Sequence, residues 1–215
     1  MGEGIHMGRS INPVTSQAEQ VTNNIRKEIL AKNNTERGFS AEKKRAVLSA
    51  EASIRNNRDE STYAFSPEGK KIWTNQGKGA SVTLDSRHVP PGSVVTHNHP
   101  LGIGKTGYAA IGNSFSTADM KAMVLLRLGE MRAATPTYTF SMRPGKKGVG
   151  TLTGFNRANR NAIAKIGEKY APYVKNKDGS TNKERMARFN TVVNHLVNKE
   201  IAKQMGWEYT RKRFK

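Results

Sequence analysis

The sequence predicts an α+β fold, arranged as a three-layer α-β-α sandwich with a mixed β-sheet at its centre. Three observations support this prediction: helical periodicity toward both ends of the chain, two-residue alternation of apolar side chains in its middle, and one amphipathic helix between the predicted strands. The chain has 215 residues, enough for one hydrophobic core with extensions. We expect a disordered or helical N-terminal extension (1–40), a central α/β domain (41–150) and a basic helical C-terminal extension (151–215).

The N-terminal part predicts helices that follow a disordered start. Residues 1 to about 14 are small or polar and show no periodicity, so we expect them to be disordered. Residues 16–33 carry apolar side chains on one helical stripe. A second helix is predicted within residues 39–57, with Ser40 as its N-cap.

The middle of the chain predicts strands. Residues 60–74 alternate apolar and polar side chains on both sides of a Pro-Glu-Gly turn, which indicates a β-hairpin. Residues 79–100 predict two further strands around a Pro-Pro-Gly break, residues 116–130 a capped amphipathic helix, and residues 131–144 one more strand. Helical periodicity then returns in residues 154–174 and 183–207.

The amino-acid composition limits the cross-links, metal ligands and membrane segments that the chain can form. The chain has no cysteine, which excludes disulfides and thiolate metal ligands, so a metal would have to be held by histidine and carboxylate side chains. No apolar run approaches the roughly 20 residues that span a bilayer, and the N-terminus lacks the apolar stretch of a signal peptide. We therefore expect a soluble, cytoplasmic protein without a membrane partner.

The positive charge is concentrated in one part of the chain. Residues 141–215 contain eighteen Lys/Arg and five Asp/Glu, which accounts for +13 of the net charge of +19. This segment is either a solvated helical surface or a contact for nucleic acid or another acidic surface, because clustered cations attract phosphates at long range.

Two histidines at the end of an apolar strand are the first candidate metal ligands. In a β-strand, residues two apart point to the same face, so His97 and His99 can reach one metal ion. Pro100 follows them and ends the strand, which places the pair at a sheet edge where sites are exposed.

Ser116 and Asp119 stand at the start of the predicted helix 116–130. The pattern Ser-x-x-Asp is typical of a capping box, and a carboxylate in the first helical turn can also serve as a third metal ligand. Two histidines and one aspartate leave the fourth position of a tetrahedral zinc ion to water, as in catalytic sites.

A metal-activated water needs a general base to accept its proton. Glu60 directly precedes the first strand of the predicted hairpin, and its carboxylate is expected at a strand edge beside the histidine strand. Glu51 is the alternative base, although its neighbours predict a helix.

The order of Glu60, the HNHP of residues 97–100 and the Ser-x-x-Asp of residues 116–119 resembles the JAMM (MPN+) metalloprotease family, and most closely its RadC-type and phage-encoded bacterial relatives. The resemblance covers about residues 50–143. It implies a JAMM-like mixed sheet with flanking helices and a zinc hydrolase activity.

Each position of the resemblance implies a role. His97, His99 and Asp119 would bind zinc, Glu60 would be the general base, and Ser116 would donate a hydrogen bond to the oxyanion of the tetrahedral intermediate. The chain departs from the family in its spacer: fifteen residues, Leu101–Phe115, separate the proline from the serine, where the family has a short connection. We interpret the glycine-rich part of this spacer as a flexible flap at the mouth of the site.

Two other motifs are incomplete. The GIGKT of residues 102–106 lacks the first glycine of a phosphate-binding P-loop, because position 99 is histidine. The contiguous letters HNH are not those of an HNH nuclease, whose residues are dispersed through a ββα unit. We expect the remaining histidines, His6, His88 and His195, to be structural.

Three functions are consistent with these patterns. The family resemblance implies a zinc metallopeptidase or isopeptidase that acts on a protein or isopeptide-linked substrate. The basic residues 141–215 and the RadC-type resemblance favour a nucleic-acid-associated protein that binds or processes DNA or RNA. The third alternative is a phage particle or assembly protein, which would be virion-associated and would use the domain as a processing protease or as a retired scaffold.

Overall fold

The computed structural model describes residues 4–8, 41–103 and 111–214. Four α-helices and eight β-strands are present in these ranges. The helices are α1 (Ala41–Ile54), α2 (Thr117–Leu126), α3 (Leu152–Tyr170) and α4 (Lys183–Met205). The strands are β1 (Gly4–Gly8), β2 (Ser61–Phe65), β3 (Lys71–Gln76), β4 (Ser81–Asp85), β5 (Val94–Asn98), β6 (Glu130–Ala134), β7 (Tyr138–Arg143) and β8 (Glu208–Arg213).

A six-stranded mixed sheet forms the centre of the fold, in the order β3-β2-β5-β6-β7-β8. β5 and β6 are parallel, and all other neighbours in this sheet are antiparallel. A parallel pair needs a long crossover connection, and the chain between β5 and β6 contains α2. The predicted hairpin is confirmed as β2 and β3, and the predicted mixed sheet is confirmed as well.

Helices cover both faces of this sheet. Phe65 and Val94 are cross-strand partners and pack against Val47 of α1 on one face. Because side chains alternate along a strand, their neighbours Ala64 and Val95 point to the other face, where they join the main core with α2, α3 and α4. The α+β, three-layer architecture expected from the sequence is therefore confirmed.

The C-terminal segment shares this sheet and core. β8 pairs with β7 along its whole length and forms an edge of the sheet. Trp207 stacks on Phe155 of α3, with ring centroids 6.3 Å apart, and both rings are buried. The basic extension predicted for residues 151–215 thus packs on residues 41–150, and its last part is a strand.

Two parts of the chain differ from the predicted elements. Residues 4–8, expected to be disordered, form β1, which pairs with β4 in a separate two-stranded sheet. Five residues are too few to show a periodic pattern, and their partner is distant in sequence. Residues 131–144, expected to be one strand, contain most of β6 and all of β7. The chain turns at Thr135–Tyr138, where Pro136 cannot donate a ladder hydrogen bond.

Two predictions concern segments outside the described residues. The helix predicted for 16–33 lies wholly outside them, and so does the centre of the predicted flap, residues 104–110. Of the helices that the structure describes, none combines the length and the apolar character needed to cross a membrane.

Candidate metal centre

Strand β5 carries the histidine pair at its C-terminal end. His97 lies within β5 and is fully buried, and His99 follows after one residue. The backbone N–H of His99 donates to the carbonyl of Ala134 at 2.8 Å, so the pairing with β6 continues as far as His99. The two imidazoles point to the same side of the sheet, and their Nε2 atoms lie 2.8 Å apart.

The first turn of α2 brings a carboxylate to these histidines. Ser116 is the N-cap of α2: its hydroxyl accepts from the N–H of Asp119 at 3.1 Å, and its own N–H donates to Asp119 Oδ2 at 2.7 Å. This capping box fixes the Asp119 rotamer. Asp119 Oδ1 lies 3.5 Å from His97 Nε2, and Asp119 Oδ2 lies 3.5 Å from His99 Nε2. The fifteen-residue spacer therefore does not keep Asp119 away from the histidines.

Glu60 approaches the same point from the start of β2. Its N–H donates to the carbonyl of Gly79 at 2.7 Å, and its carbonyl accepts from Gly77 at 2.8 Å, which fixes the backbone. β2 pairs with β5 so that Thr62 lies opposite His97. The Glu60 side chain is buried, and neither of its carboxylate oxygens has a hydrogen-bond partner among the described residues.

The four side chains form one buried group that could hold a metal ion. Glu60, His97, His99 and Asp119 each supply one ligand atom, and these atoms all lie within 4.8 Å of one another. Ligands about 2 Å from a tetrahedral ion are roughly 3.3 Å apart, close to the 3.5 Å between Asp119 and either imidazole. The unpartnered oxygens of Glu60 also fit a cation, because buried polar atoms normally have partners.

The electrostatics of the group favour a cation. Burial opposes protonation of His99, but the hydrogen bond and charge of Asp119, together with the charge of Glu60, raise the pKa of His99 to about 9. Burial opposes ionisation of Asp119, but the charges and hydrogen bonds of His97 and His99 hold the pKa of Asp119 well below its ordinary value. Without metal, a proton on the imidazoles balances the carboxylate. A metal ion would replace that proton, because ligands bind in their deprotonated form.

Glu60 has a different environment from Asp119. Burial raises the pKa of Glu60 above its ordinary value, although the charges of His97 and His99 act in the opposite direction, and the charge of Asp119 raises it further. A carboxylate with a raised pKa is a stronger proton acceptor than an ordinary one.

A backbone carbonyl orients His99. Its Nδ1 lies 2.8 Å from the carbonyl oxygen of Asn113, so Nδ1 carries the proton and donates it. The lone pair of the neutral ring is then on Nε2, the atom that faces His97 and Asp119. Hydrogen bonds of this kind to the distal nitrogen are usual for histidines that bind metals.

Asn98, between the two histidines, points to the opposite face. Its Oδ1 accepts from the N–H of Ser61 at 2.7 Å, and its Nδ2 donates to the carbonyls of Asn57 at 3.0 Å and Asp59 at 3.3 Å. These bonds tie the histidine strand to the backbone on both sides of Glu60. Asn98 was not among the site residues predicted from the sequence, although its alternate position in the strand indicates that it points away from the histidines.

Helix α4 and strand β8 anchor the residues that precede Ser116. The buried Asn198 donates to the carbonyl of Phe115 at 2.8 Å and to Ser114 Oγ at 3.1 Å. The Tyr209 hydroxyl lies 2.6 Å from Ser114 Oγ and 2.8 Å from His195 Nδ1. No periodic signal in the sequence distinguished Asn198 from the other polar residues of α4, so this anchor was also missed.

The alternative base, Glu51, lies on the other face of the sheet. It forms an ion pair with Arg132 and accepts a hydrogen bond from Thr96 Oγ1 at 3.3 Å. Thr96 precedes His97 in β5, so its side chain points away from the histidines. Glu51 is therefore remote from the candidate centre and does not compete with Glu60.

Ser116 and the remaining histidines have distinct surroundings. The Ser116 hydroxyl is half-buried and accepts the capping hydrogen bond, which leaves its own proton available to another acceptor.

His88 is exposed and lies 3.3 Å from Asp85. Burial, and then the charges of Arg211 and Lys199, lower the pKa of His195 to about 4. The His6 side chain lies outside the described part of the structure.

Comparisons with known protein families, with curated proteins and with solved structures found no match for this chain. The interpretation of the centre therefore depends on the residues and distances given above.

Proposed function

We propose that this protein is a zinc-dependent hydrolase of the JAMM type, which cleaves a peptide or isopeptide bond with water. The observation that carries the proposal is the buried Glu60 carboxylate, which has no hydrogen-bond partner among the described residues and lies beside His97, His99 and Asp119. The bond type follows from the resemblance of these residues to JAMM metalloproteases.

Zinc is the metal that suits these donors best. Imidazole nitrogen and carboxylate oxygen, without thiolate, are the usual ligands of catalytic zinc, and His97, His99 and Asp119 would hold the ion. A zinc ion bound there supplies a Lewis acid that polarises a carbonyl group and makes water more acidic.

Glu60 acts as the general base. It accepts a proton from the water that attacks the carbonyl carbon, and it then donates this proton to the leaving amine, which is a lysine ε-amine in an isopeptide bond. Its raised pKa makes this carboxylate a stronger base than an ordinary glutamate, which supports the first transfer. Its unpartnered oxygens support the same role, because no competing hydrogen bond has to be broken.

Ser116 stabilises the oxyanion. Its hydroxyl oxygen is occupied by the N–H of Asp119, and its proton remains available for donation to a negatively charged oxygen. Its partial exposure at the start of α2 supports contact with a substrate.

The competing interpretation is a structural metal site in which Glu60 is a fourth ligand. Both interpretations agree with the distances, because all four ligand atoms lie within 4.8 Å. They differ in what happens when Glu60 is replaced by a neutral isostere. A general base can be replaced without loss of the metal, whereas a fourth ligand cannot.

The test measures zinc and hydrolysis in the same samples. Purified full-length protein is treated with a chelator, reloaded with zinc and analysed for bound metal, beside His97→Ala, Asp119→Asn and Glu60→Gln. His88→Ala, at an exposed histidine elsewhere, is the matched control. Hydrolysis is followed with fluorogenic peptides and with a lysine-linked isopeptide.

We expect about one zinc per chain in wild type, in the His88 control and in Glu60→Gln, and strong loss in the other two variants. Hydrolysis should disappear in Glu60→Gln although zinc remains. Loss of zinc from Glu60→Gln would favour the structural site, and absence of zinc from wild type would overturn the proposal.

A further inference from the structure

The turn between α3 and α4 presents a basic surface with an exposed aromatic ring. Residues 165–188 contain seven Lys/Arg and three Asp/Glu. We define the turn surface by six exposed residues of this region: Lys169, Tyr173, Lys175, Lys177, Lys183 and Arg185.

The backbone that carries this turn surface is ordered by its own hydrogen bonds. Lys175 forms a β-bridge with Thr181, and the N–H of Asn182 donates to the carbonyl of Val174 at 2.8 Å. The Val174 side chain is buried. Arg185 Nη1 donates to the carbonyl of Lys175 at 3.3 Å, which links the start of α4 to the turn. The cations are therefore attached to a defined backbone.

Tyr173 is the aromatic residue of the turn surface. Its side chain is 66% exposed, the largest exposure among the large hydrophobic residues that are exposed in the described ranges. It makes no hydrogen bond or ring contact with another described residue. An exposed ring of this kind among lysines has the two elements of a site for single-stranded nucleic acid. The ring offers a face on which a base can stack, and the lysines offer cations for the phosphates.

The acidic residues of this region are outnumbered by its cations, three to seven. Asp178 Oδ1 accepts hydrogen bonds from the N–H of Ser180 at 2.9 Å and from its hydroxyl at 2.6 Å, so this carboxylate is engaged within the turn. Glu200 pairs with Lys165 at 3.0 Å. Glu168 remains exposed.

We propose that the turn surface binds single-stranded nucleic acid, with Tyr173 stacking on a base and the lysines contacting phosphates. An acidic protein would be attracted by the charge but would leave the exposed ring without a role. Duplex nucleic acid would leave it without a role as well, because its bases are already stacked. The proposal does not depend on the metal centre, so either can fail without the other.

The test uses full-length protein and fluorescence anisotropy. The probes are a labelled oligothymidine of about 20 nucleotides, a duplex of the same length and labelled polyglutamate, each titrated from about 50 to 200 mM salt. The variants are Tyr173→Ala and the triple replacement of Lys175, Lys177 and Lys183 by Gln. The matched control replaces the exposed Lys70, Lys71 and Lys78 by Gln, which removes the same charge from the β2–β3 region.

Tyr173→Ala should weaken binding of the single strand about tenfold, as expected for the loss of one stacked base. The triple variant should reduce the slope of log affinity against log salt by about 2, since each phosphate contact on a single strand contributes about 0.7. The control should retain nearly wild-type affinity and slope.

Three results would overturn the proposal. The first is absence of binding at the lowest salt concentration, and the second is equal weakening by the control, which would show that net charge alone is responsible. The third is binding of the duplex or of polyglutamate at least as tightly as the single strand, which would assign the turn surface to a different partner.

Discussion

Asn98 accepts a hydrogen bond from the backbone N–H of Ser61 at 2.7 Å and thereby connects the histidine strand to the residue after Glu60. The same side chain donates to the carbonyl of Asp59, the residue before Glu60. The two histidines adjoin Asn98 in sequence and point to the other face. One buried amide thus sets the position of the proposed base relative to the proposed ligands.

Replacement of Asn98 by Ala should affect catalysis more than metal binding. Ser61 N–H would lose its acceptor in a buried setting, so we expect the free energy of unfolding to fall by about 2 kcal/mol. Zinc should remain, because the ligands lie on β5, directly after it and on α2, while turnover should fall because Glu60 is no longer held. Urea unfolding, zinc content and hydrolysis measure the three effects.

The control for this variant is Asn75→Ala. Asn75 donates to the carbonyl of Thr83 at 3.0 Å from β3, so its loss should leave hydrolysis unchanged. If Asn98→Ala lost zinc and activity in equal measure, the amide would support the ligands themselves rather than the placement of Glu60.

The buried glutamates Glu51 and Glu60 should respond in opposite ways to the same substitution. Glu51 is paired with Arg132, so Glu51→Gln leaves a buried arginine with less compensation and should lower the free energy of unfolding by about 3 kcal/mol. Glu60 has no hydrogen-bond partner within the described ranges, so Glu60→Gln should leave the stability of the metal-free protein unchanged or raise it.

The effects of these two substitutions on hydrolysis should be the reverse of their effects on stability. Glu51→Gln should keep hydrolysis at temperatures where it is folded, while Glu60→Gln should abolish it. Urea denaturation of chelator-treated protein tests the effects on stability. Activity of the zinc-loaded protein tests the effects on hydrolysis. Strong destabilisation by Glu60→Gln would show that this carboxylate has a structural role.

Local patterns were sufficient to predict the elements that carry the site. The strand before Pro100 follows from alternation, and the start of α2 follows from the capping box at Ser116. The 3.5 Å distance from His97 Nε2 to Asp119 Oδ1 could not be derived from such patterns, because it depends on how a fifteen-residue spacer returns to the sheet. The family resemblance, rather than periodicity, placed Asp119 with the histidines.

Features that depend on non-local contacts were harder to predict. The helical pattern around Glu51 was correct, but which face of the sheet α1 covers depends on packing. Asn198 is one of several polar residues in α4, and its hydrogen bond to Phe115 requires the docked position of that helix. The division of residues 131–144 into two strands depends on the turn at Pro136, which alternation alone does not show.

The anchor provided by Asn198 should be needed for tight zinc binding. Asn198→Ala removes the donor to Ser114 and the shorter of two amide hydrogen bonds to the carbonyl of Phe115, just before the N-cap that orients Asp119; the bond from Asn194 at 3.1 Å remains. Loss of hydrogen bonds that support metal ligands typically costs 10–100-fold in affinity, so we expect a decrease of about tenfold.

Zinc affinity of the Asn198 variant is measured by competition with a chromophoric chelator. Gln204→Ala is the control, because Gln204 is exposed on the same helix and, among the described residues, its side chain bonds to Glu200 alone. Equal affinities of the Asn198 variant and wild type would show that Ser116 and Asp119 keep their positions without this anchor.

The metal-free protein should lose stability as the pH rises from about 6.5 to about 9. The pKa of His99 is raised to about 9 in the folded chain, against 6.5 for an unperturbed histidine, so the folded state keeps a proton that the unfolded state releases in this range. This contribution is complete below about pH 6.5 and disappears near pH 9. We expect a decrease of up to about 3 kcal/mol in the free energy of unfolding.

Urea unfolding of chelator-treated protein at several pH values measures this decrease. His99→Gln, which cannot titrate, should show a flatter dependence, and the difference between the two curves isolates the histidine. With zinc present the trend should reverse, because deprotonated ligands bind the ion more tightly as the pH rises. If wild type and His99→Gln showed the same pH dependence without metal, the proton would not be held between His99 and Asp119.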